Sequence, residues 1–378
     1  MSSNERGQTM TQVDAAQAGQ DSPADTGTAG AGASAPTAGT GGTRRARLRR
    51  VIRSLAGPGP WKRGPVPAGS ALLLGLLMLL HTQITGRGGL GSLVETFLPW
   101  FGLSVPVLLA AAVWRRSASA VVALLLPVTV WLSLFGGLLG DRSRSGGDLT
   151  VASHNVGAAN QDPAGTARDL AASGADLLAL EELTADARGT YEKGLAKAYP
   201  FHTVQGTVGL WSKLPLSGTR PVDLKQDVGP LGDSKPAEVK MAYNRALRTT
   251  VATGKGSLAV YVAHLGSVRV NPRAGFWTDS RDRNAQALGE AVAAERNERV
   301  VLLGDLNGTT DDRALDGITS RLHSAQDEAG DGFGFSWPAS FPVARIDQIL
   351  VRGVEPVSSW VLPETGSDHL PVAARISW

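Results

Sequence analysis

Arg299-Val-Val-Leu-Leu-Gly-Asp-Leu-Asn-Gly308 is the stretch around which the rest of the chain is organised. Val300 to Leu303 form an apolar run short enough for a strand buried on both faces. Gly304 ends the run and delivers Asp305 and Asn307 at its carboxyl end, and Gly308 opens a turn. Residues two apart on an extended segment point the same way, so the carboxylate and the amide can address one ligand. Strand carboxyl ends are where open α/β sheets usually bind ligands. Asp and Asn are also ordinary turn formers, so these two residues gain meaning only from the rest of the chain.

Outward from this strand, residues 149–378 alternate between strand and helix signals. Strands are expected at Leu149–Asn155, Asp176–Glu182, Ala344–Val351, Val357–Leu362 and Val372–Ile376. A pair of short strands is expected within His202–Trp211, followed by a turn at Lys213-Leu-Pro-Leu216. Leu247–Thr253 and Ser257–Leu265 read as a hairpin turned on Gly254-Lys-Gly256. Helices are expected at Pro163–Ser173, Ala185–Ala198 and Arg281–Arg296. Residues 224–246 read as a lysine-bearing surface excursion. The mixture of helices and hairpins predicts an α/β domain with two packed sheets.

The part before 149 differs in texture. Residues 1–43 hold no aromatic residue and are rich in Gly, Ala, Ser and Thr. Such a segment cannot bury enough apolar surface to offset its ordering entropy, so disorder is expected. Six arginines follow between Arg44 and Arg53, where a short amphipathic helix on an anionic leaflet and a plain basic flank both remain open. Residues 1–65 are thus read as a disordered and basic cytoplasmic region. Three apolar runs, about 66–84, 93–114 and 118–140, approach the roughly 20 residues that span a bilayer. Arginines before the first run and at Arg115-Arg116 outnumber the single Arg87 between the first two. The positive-inside rule therefore places the N-terminus in the cytoplasm and everything after a linker at 141–148 outside a plasma membrane. The net charge of +3 is too small to imply a nucleic-acid partner, and the absence of cysteine excludes disulfides and thiolate metal sites.

The polar residues cluster at strand ends: Asn155, Glu181-Glu182, His264, Asp305 with Asn307, Asp347, and Asp368-His369. Each alone has an ordinary reading as a turn residue, a helix cap or a core histidine. Asp347 is the exception, because an acid inside a buried strand needs a partner. Together they describe a site.

In order and spacing, these residues and Gly209-Leu-Trp-Ser-Lys-Leu-Pro215 resemble the endonuclease/exonuclease/phosphatase superfamily, over about 149–378. The resemblance implies a four-layer α/β/β/α sandwich (DNase I-like) and metal-dependent hydrolysis of phosphoester or pyrophosphate bonds. It implies Glu182 as principal ligand of Mg²⁺, with Mn²⁺ as an alternative, beside Asn155 and near Asp368. Asp305 would orient or deprotonate the attacking water, and Asn307 would hold a phosphate oxygen. His369, held by Asp347, would face the scissile phosphate, with His264 as the second phosphate-facing histidine. Hard oxygen ligands suit Mg²⁺ independently of the resemblance. Two positions depart from the family pattern: Glu181 stands where Gln is usual, and Gly157 where some nucleases carry an acid.

The arrangement of three spans before such a domain is also similar to VanJ-type teicoplanin-resistance proteins of actinobacteria. That implies a lipid-linked phosphate substrate such as an undecaprenyl pyrophosphate-type carrier, membrane lipids as surroundings, glycopeptide resistance as an outcome, and no protein partner. An anchored extracellular nuclease, a phospholipid phosphodiesterase and a non-catalytic lipid or cell-wall binding module stay open. No aromatic-interleaved basic tract favours nucleic acid.

Overall fold

The computed structural model describes residues 58–84, 89–224, 244–271 and 275–378, with two helical positions at 46 and 49. The chain divides into two compact units, Met1–Arg53 and Ser54–Trp378. The expected disorder over 1–43, and the choice between an amphipathic helix and a basic flank over 44–55, lie outside the described residues apart from those two positions. Residues 225–243 of the expected excursion lie outside them too.

In the second unit a short helical turn at Pro58–Lys62 precedes three apolar helices. Helix α1 (Pro65–Leu79) starts behind a left-handed Gly64 and gives way after Leu80 to a 3-10 turn at His81–Gln83. Helix α2 (Leu90–Trp114) and helix α3 (Ala118–Leu139) are long and apolar enough to cross a membrane. The expectation of three spans is corrected here to two of spanning length. The 15 residues of α1 rise only about 22 Å, against a hydrocarbon layer of about 30 Å. The most apolar windows of α2 and α3 are only 11% and 28% buried, unlike the core helices of a soluble domain. Prolines shape both: α2 tightens to 3-10 geometry over Leu98–Leu103 at Pro99, and α3 breaks at Leu124, just ahead of Pro127. Gly75 lets α1 approach α3 closely, since a Cβ there would meet Leu126 Cγ at 2.6 Å.

The domain that follows is built on two six-stranded sheets. In the first, β1 (Leu149–Asn155) pairs in parallel with β2 (Leu177–Glu181). Antiparallel partners flank this pair: β3 (Phe201–Gln205) and β4 (Val208–Ser212) on one side, β13 (Glu355–Val361) and β14 (Val372–Ser377) on the other. The second sheet repeats the plan. Its β10 (Val300–Asp305) runs parallel to β7 (Gly256–Ala263). Beside them lie β5 (Leu216–Pro221) and β6 (Ala246–Thr253) on one edge, and β11 (His323–Ser324) and β12 (Asp347–Arg352) on the other. A small hairpin of β8 (Arg269–Asn271) and β9 (Gly275–Trp277) stands apart. Strands β5, β8, β9 and β11 were not expected from the sequence; they are short or carry Gly and polar residues.

Three apolar layers hold the sheets. Leu177, Leu210, Leu258, Val301 and Ile349 belong to the layer between them. Helices α4 (Pro163–Ala172) and α5 (Ala185–Leu195) cover the outer face of the first sheet through Leu170, Tyr191 and Leu195. Helix α6 (Asp279–Ala293) covers the second through Ala285, Leu288 and Val292. The expected α/β/β/α layering is therefore present.

The domain is also clamped to the apolar helices at one end. Glu95 of α2 is fully buried and meets Arg313 through Nε at 3.0 Å and Nη2 at 2.8 Å. Ser92 receives a hydrogen bond from Arg281 Nη2 at 2.8 Å and donates to Asp312 at 3.2 Å. The acid that blemishes an apolar run in the sequence is thus the seat of an ion pair with the domain.

Candidate active site

The site is the last, polar layer of the inter-sheet core. Side chains alternate along a strand, so every second residue faces the other sheet. On β10 the series Val301, Leu303 ends in Asp305, and on β12 Val351, Ile349 ends in Asp347. On β1 Leu149, Val151 lead to Ser153 and Asn155, and on β2 Leu177, Ala179 lead to Glu181. Beyond Val262 on β7 comes His264, and before Leu247 on β6 comes Arg245. Register completes the grouping. Asp305 lies opposite Asp347 in one sheet, and Asn155 beside Glu181 in the other. Across the gap Asn155 Nδ2 donates to Asp305 Oδ2 at 3.0 Å.

Two left-handed residues break the alternation where the chemistry needs it. Glu182 has φ 57° and Asn307 φ 48°. A regular strand would turn Glu182 away from the face that Glu181 occupies. Its left-handed backbone instead places Oε1 at 3.6 Å from His264 Nε2, while Oε2 accepts from Ala158 N at 2.8 Å. For a glutamate this conformation costs about 1–3 kcal/mol, typical of strain held at functional sites. Asn307 folds back so that its backbone N–H and its Nδ2 both donate to Asp305, at 2.9 and 3.1 Å. Gly304 makes the approach possible: with φ 146°, a Cβ there would lie 1.9 Å from Ala263 O.

His369 and Asp347 form a buried pair, Nδ1 to Oδ2 at 2.8 Å, and Ser336 Oγ donates to the same Oδ2 at 2.6 Å. Burial alone would lower the imidazole, but the Asp347 and Asp305 carboxylates outweigh it and raise His369 to about 10. The ring is a cation at neutral pH. Its Nε2 lies 3.9 Å from Asp305 Oδ2. Burial raises Asp305, and Asp347 adds to this, against the lowering pull of His369.

Glu181 accepts from Ser153 Oγ at 3.0 Å. Burial first, then the neighbouring Asp347 carboxylate, push it well above the usual carboxylate range. A neutral carboxylic acid has the shape and hydrogen-bonding valence of the Gln expected there. Its folded pKa is raised above the unfolded one, so this group's contribution is most favourable below the unfolded value of 4.5 and worsens as pH rises towards the folded value. Glu181→Gln is therefore expected to match the parent in thermal stability near pH 4 and to exceed it increasingly towards pH 8, checked by melting curves across that range.

His264 and Asp368 border the same group of residues. His264 is fully buried, and Arg245 Nη2 lies 2.7 Å from its Nε2. A guanidinium only donates, so that nitrogen is the acceptor of this contact. The cation at this position is Arg245. Burial lowers it to about 10 against the opposing pull of Asp305 and Glu182, which leaves it charged. Arg245 falls at the end of the lysine-bearing excursion in the sequence. Its parity with Leu247 and Val251 on β6 is the signal that could have found it. Asp368 is exposed at the rim, with Oδ1 3.6 Å from where a Cβ on Gly157 would lie. Gly157 has φ 72° and could not carry an acid without strain.

Asp305, Asp347 and His369 offer ligand atoms within 4.8 Å of one another, a buried acidic and histidine group that could hold a metal ion. Carboxylate oxygens are the ligands a hard divalent cation prefers.

The sequence pattern described as "Endonuclease/Exonuclease/phosphatase family" matches residues 152–369. No curated protein matches the chain in sequence. Among solved structures, mannosyl-6-phosphatase of Bacteroides thetaiotaomicron is similar at 17% identity and TM-score 0.48, covering 61% of this chain and 100% of its own. Sphingomyelinase C of Streptomyces griseocarneus is similar at 20% identity and TM-score 0.46, covering 60% and 98%. A Staphylococcus aureus beta toxin mutant with bound magnesium ions is similar at 15% identity and TM-score 0.45, covering 61% and 100%. With well over half its length matched by the family pattern, the chain belongs to the endonuclease/exonuclease/phosphatase family and is a hydrolase of phosphoester bonds.

Proposed function

We propose that the protein is a membrane-anchored, Mg²⁺-dependent phosphohydrolase acting on lipid-linked phosphate at the outer membrane face. The observation that carries the reading is the convergence of Glu182, Asn155, Asp305 and the His369–Asp347 pair at one end of the inter-sheet core. A bound divalent cation would neutralise phosphate charge and polarise the bond to be cleaved. Asp305, held by Asn155 and Asn307, accepts the proton of the attacking water. Protonated His369 presents Nε2–H to a phosphate oxygen as charge develops, while Nδ1–H stays on Asp347. Arg245 and Asn307 add positive charge and an amide donor to the same patch.

The side of the membrane is part of the proposal. Arg115 and Arg116 lie in the link between the two helices of spanning length, at the end away from Ser92 and Glu95, where the domain docks. The positive-inside rule then favours a domain outside the cytoplasm. A carrier of the undecaprenyl pyrophosphate type is the specific substrate we propose, with glycopeptide resistance as its consequence.

Detergent-solubilised protein is expected to release inorganic phosphate from a prenyl pyrophosphate with Mg²⁺. Release should stop with EDTA and return when Mg²⁺ is restored. Rapid cleavage of DNA without phosphate release from any prenyl pyrophosphate would sink the lipid reading and favour the nuclease.

A further inference from the structure

Within residues 148–378, the described large apolar side chains that stand exposed are Phe201, Trp337 and Phe341. Two of the three share one hairpin, and that hairpin joins the apolar helices to the catalytic pair. Phe335 stacks on Trp100 of α2 at 5.5 Å and on Phe333 at 5.2 Å. Phe333 in turn lies 6.3 Å from both Trp131 and Phe135 of α3. Trp100 Nε1 donates to Val343 O at 2.7 Å. On the site side, Ser336 holds Asp347, Leu370 N donates to Ser336 O at 2.8 Å, and Ala339 N donates to Asp368 O at 2.7 Å.

The tip is a tight turn. Trp337 and Ala344 pair across its base, and Phe341 N donates to Pro338 O at 3.1 Å. This closure leaves Phe341 70% exposed, although the aromatic cluster at the base lies next to it in sequence. Single exposed apolar residues are ordinary. A paired aromatic tip continuous with an apolar helix group, and bonded to the loop of His369, is not explained by folding.

We propose that the Phe333–Ala344 hairpin is a lipid-binding surface, which receives the apolar chain of a phosphate-bearing lipid and leads its head group to His369. A small water-soluble ester would gain nothing from this tip, whereas an amphiphile needs an apolar path between the membrane and a polar site. The inference deepens the phosphohydrolase reading and rests on it for the identity of the head group.

The test has two arms on the full chain. The protein has no cysteine, so Phe341→Cys and Phe201→Cys each carry a single bimane label without further changes. In vesicles containing lipids with brominated acyl chains, the label at 341 is expected to be quenched strongly and that at 201 little. Equal quenching at both positions overturns the proposal. The second arm compares isopentenyl and farnesyl pyrophosphates, which share a head group and differ in chain length. Phe341→Ser is expected to raise KM for the farnesyl compound by roughly tenfold, with kcat and all isopentenyl kinetics unchanged. An equal effect on both substrates, or none on either, overturns the proposal while hydrolysis itself upholds the phosphohydrolase. Selective quenching without hydrolysis of either substrate supports the lipid surface and overturns the phosphohydrolase reading alone.

Discussion

Replacing His369 by alanine is expected to lower kcat by about 10³-fold, the usual loss when a charge-stabilising donor is removed. The apolar core should stay packed, since the ring is no part of it, but the buried Asp347 loses its partner and some stability should be lost with it. Asp347→Asn should cost about 10²-fold. The amide keeps the volume and can still bond the ring, but it cannot hold the imidazolium. His369 is raised to about 10 in the parent, with Asp347 as its largest raising influence. Activity that needs the cation should therefore persist at pH 8 and fall only as pH rises towards 10. In Asp347→Asn that alkaline fall should move downward by more than one pH unit. A pH profile of kcat/KM on a soluble phosphodiester checks both points. An Asn variant that loses activity with an unmoved alkaline limb would show that Asp347 only shapes the loop. It would not then set the charge on His369.

The strand that organises the sequence is also the strand that organises the site, and the reason is physical. A fully apolar run that ends in Gly-Asp-x-Asn can only be buried, and its polar end can only face the rim of the core. The same logic made Asn155, Asp347 and His369 legible. It failed where local conformation overrides strand parity. Two consecutive glutamates cannot both face one side of a regular strand. Only the left-handed backbone at Glu182 brings Glu181 and Glu182 to the same site. Arg245 was missed because its place in the site depends on a cross-strand contact with His264 between β6 and β7. Which of two basic groups faces out is a matter of packing that residue type does not reveal. The apolar helices show the opposite limit: hydropathy found the runs, while the ends of α1 are set by Gly64 and by a turn whose carbonyls meet Arg313.

Arg281 is the residue whose removal should most affect stability. It is 1% exposed, and its guanidinium reaches Ser92 Oγ at 2.8 Å, Asn307 O at 3.0 Å and Asp282 Oδ1 at 2.7 Å. Nη1 also lies 2.9 Å from Asp312 Oδ2, a close charge contact rather than an aligned hydrogen bond. Arg281→Met would leave the fully buried Asp312 without its countercharge, a loss expected to cost about 3–5 kcal/mol. It would also free the carbonyl of Asn307, whose left-handed turn supports Asp305, so kcat should fall at temperatures well below the melting midpoint. Arg281→Lys keeps the charge but not the planar fork, and should recover part of the stability. Ser92→Ala, on the apolar helix side, should cost about 1 kcal/mol. Melting curves of the full chain in one detergent, read beside kcat, separate these effects. Removing Arg281 and Asp312 together should cost less than the sum of the single losses, because the second change deletes a charge the first had stranded. Additive losses, or an Arg281→Met protein that melts like the parent, would mean that the Arg281–Asp312 contact does not hold this turn. Strong coupling would mean that the Arg281–Asp312 contact holds the turn of Asn307, and a loss in Ser92→Ala would mean that the apolar helices add to that support.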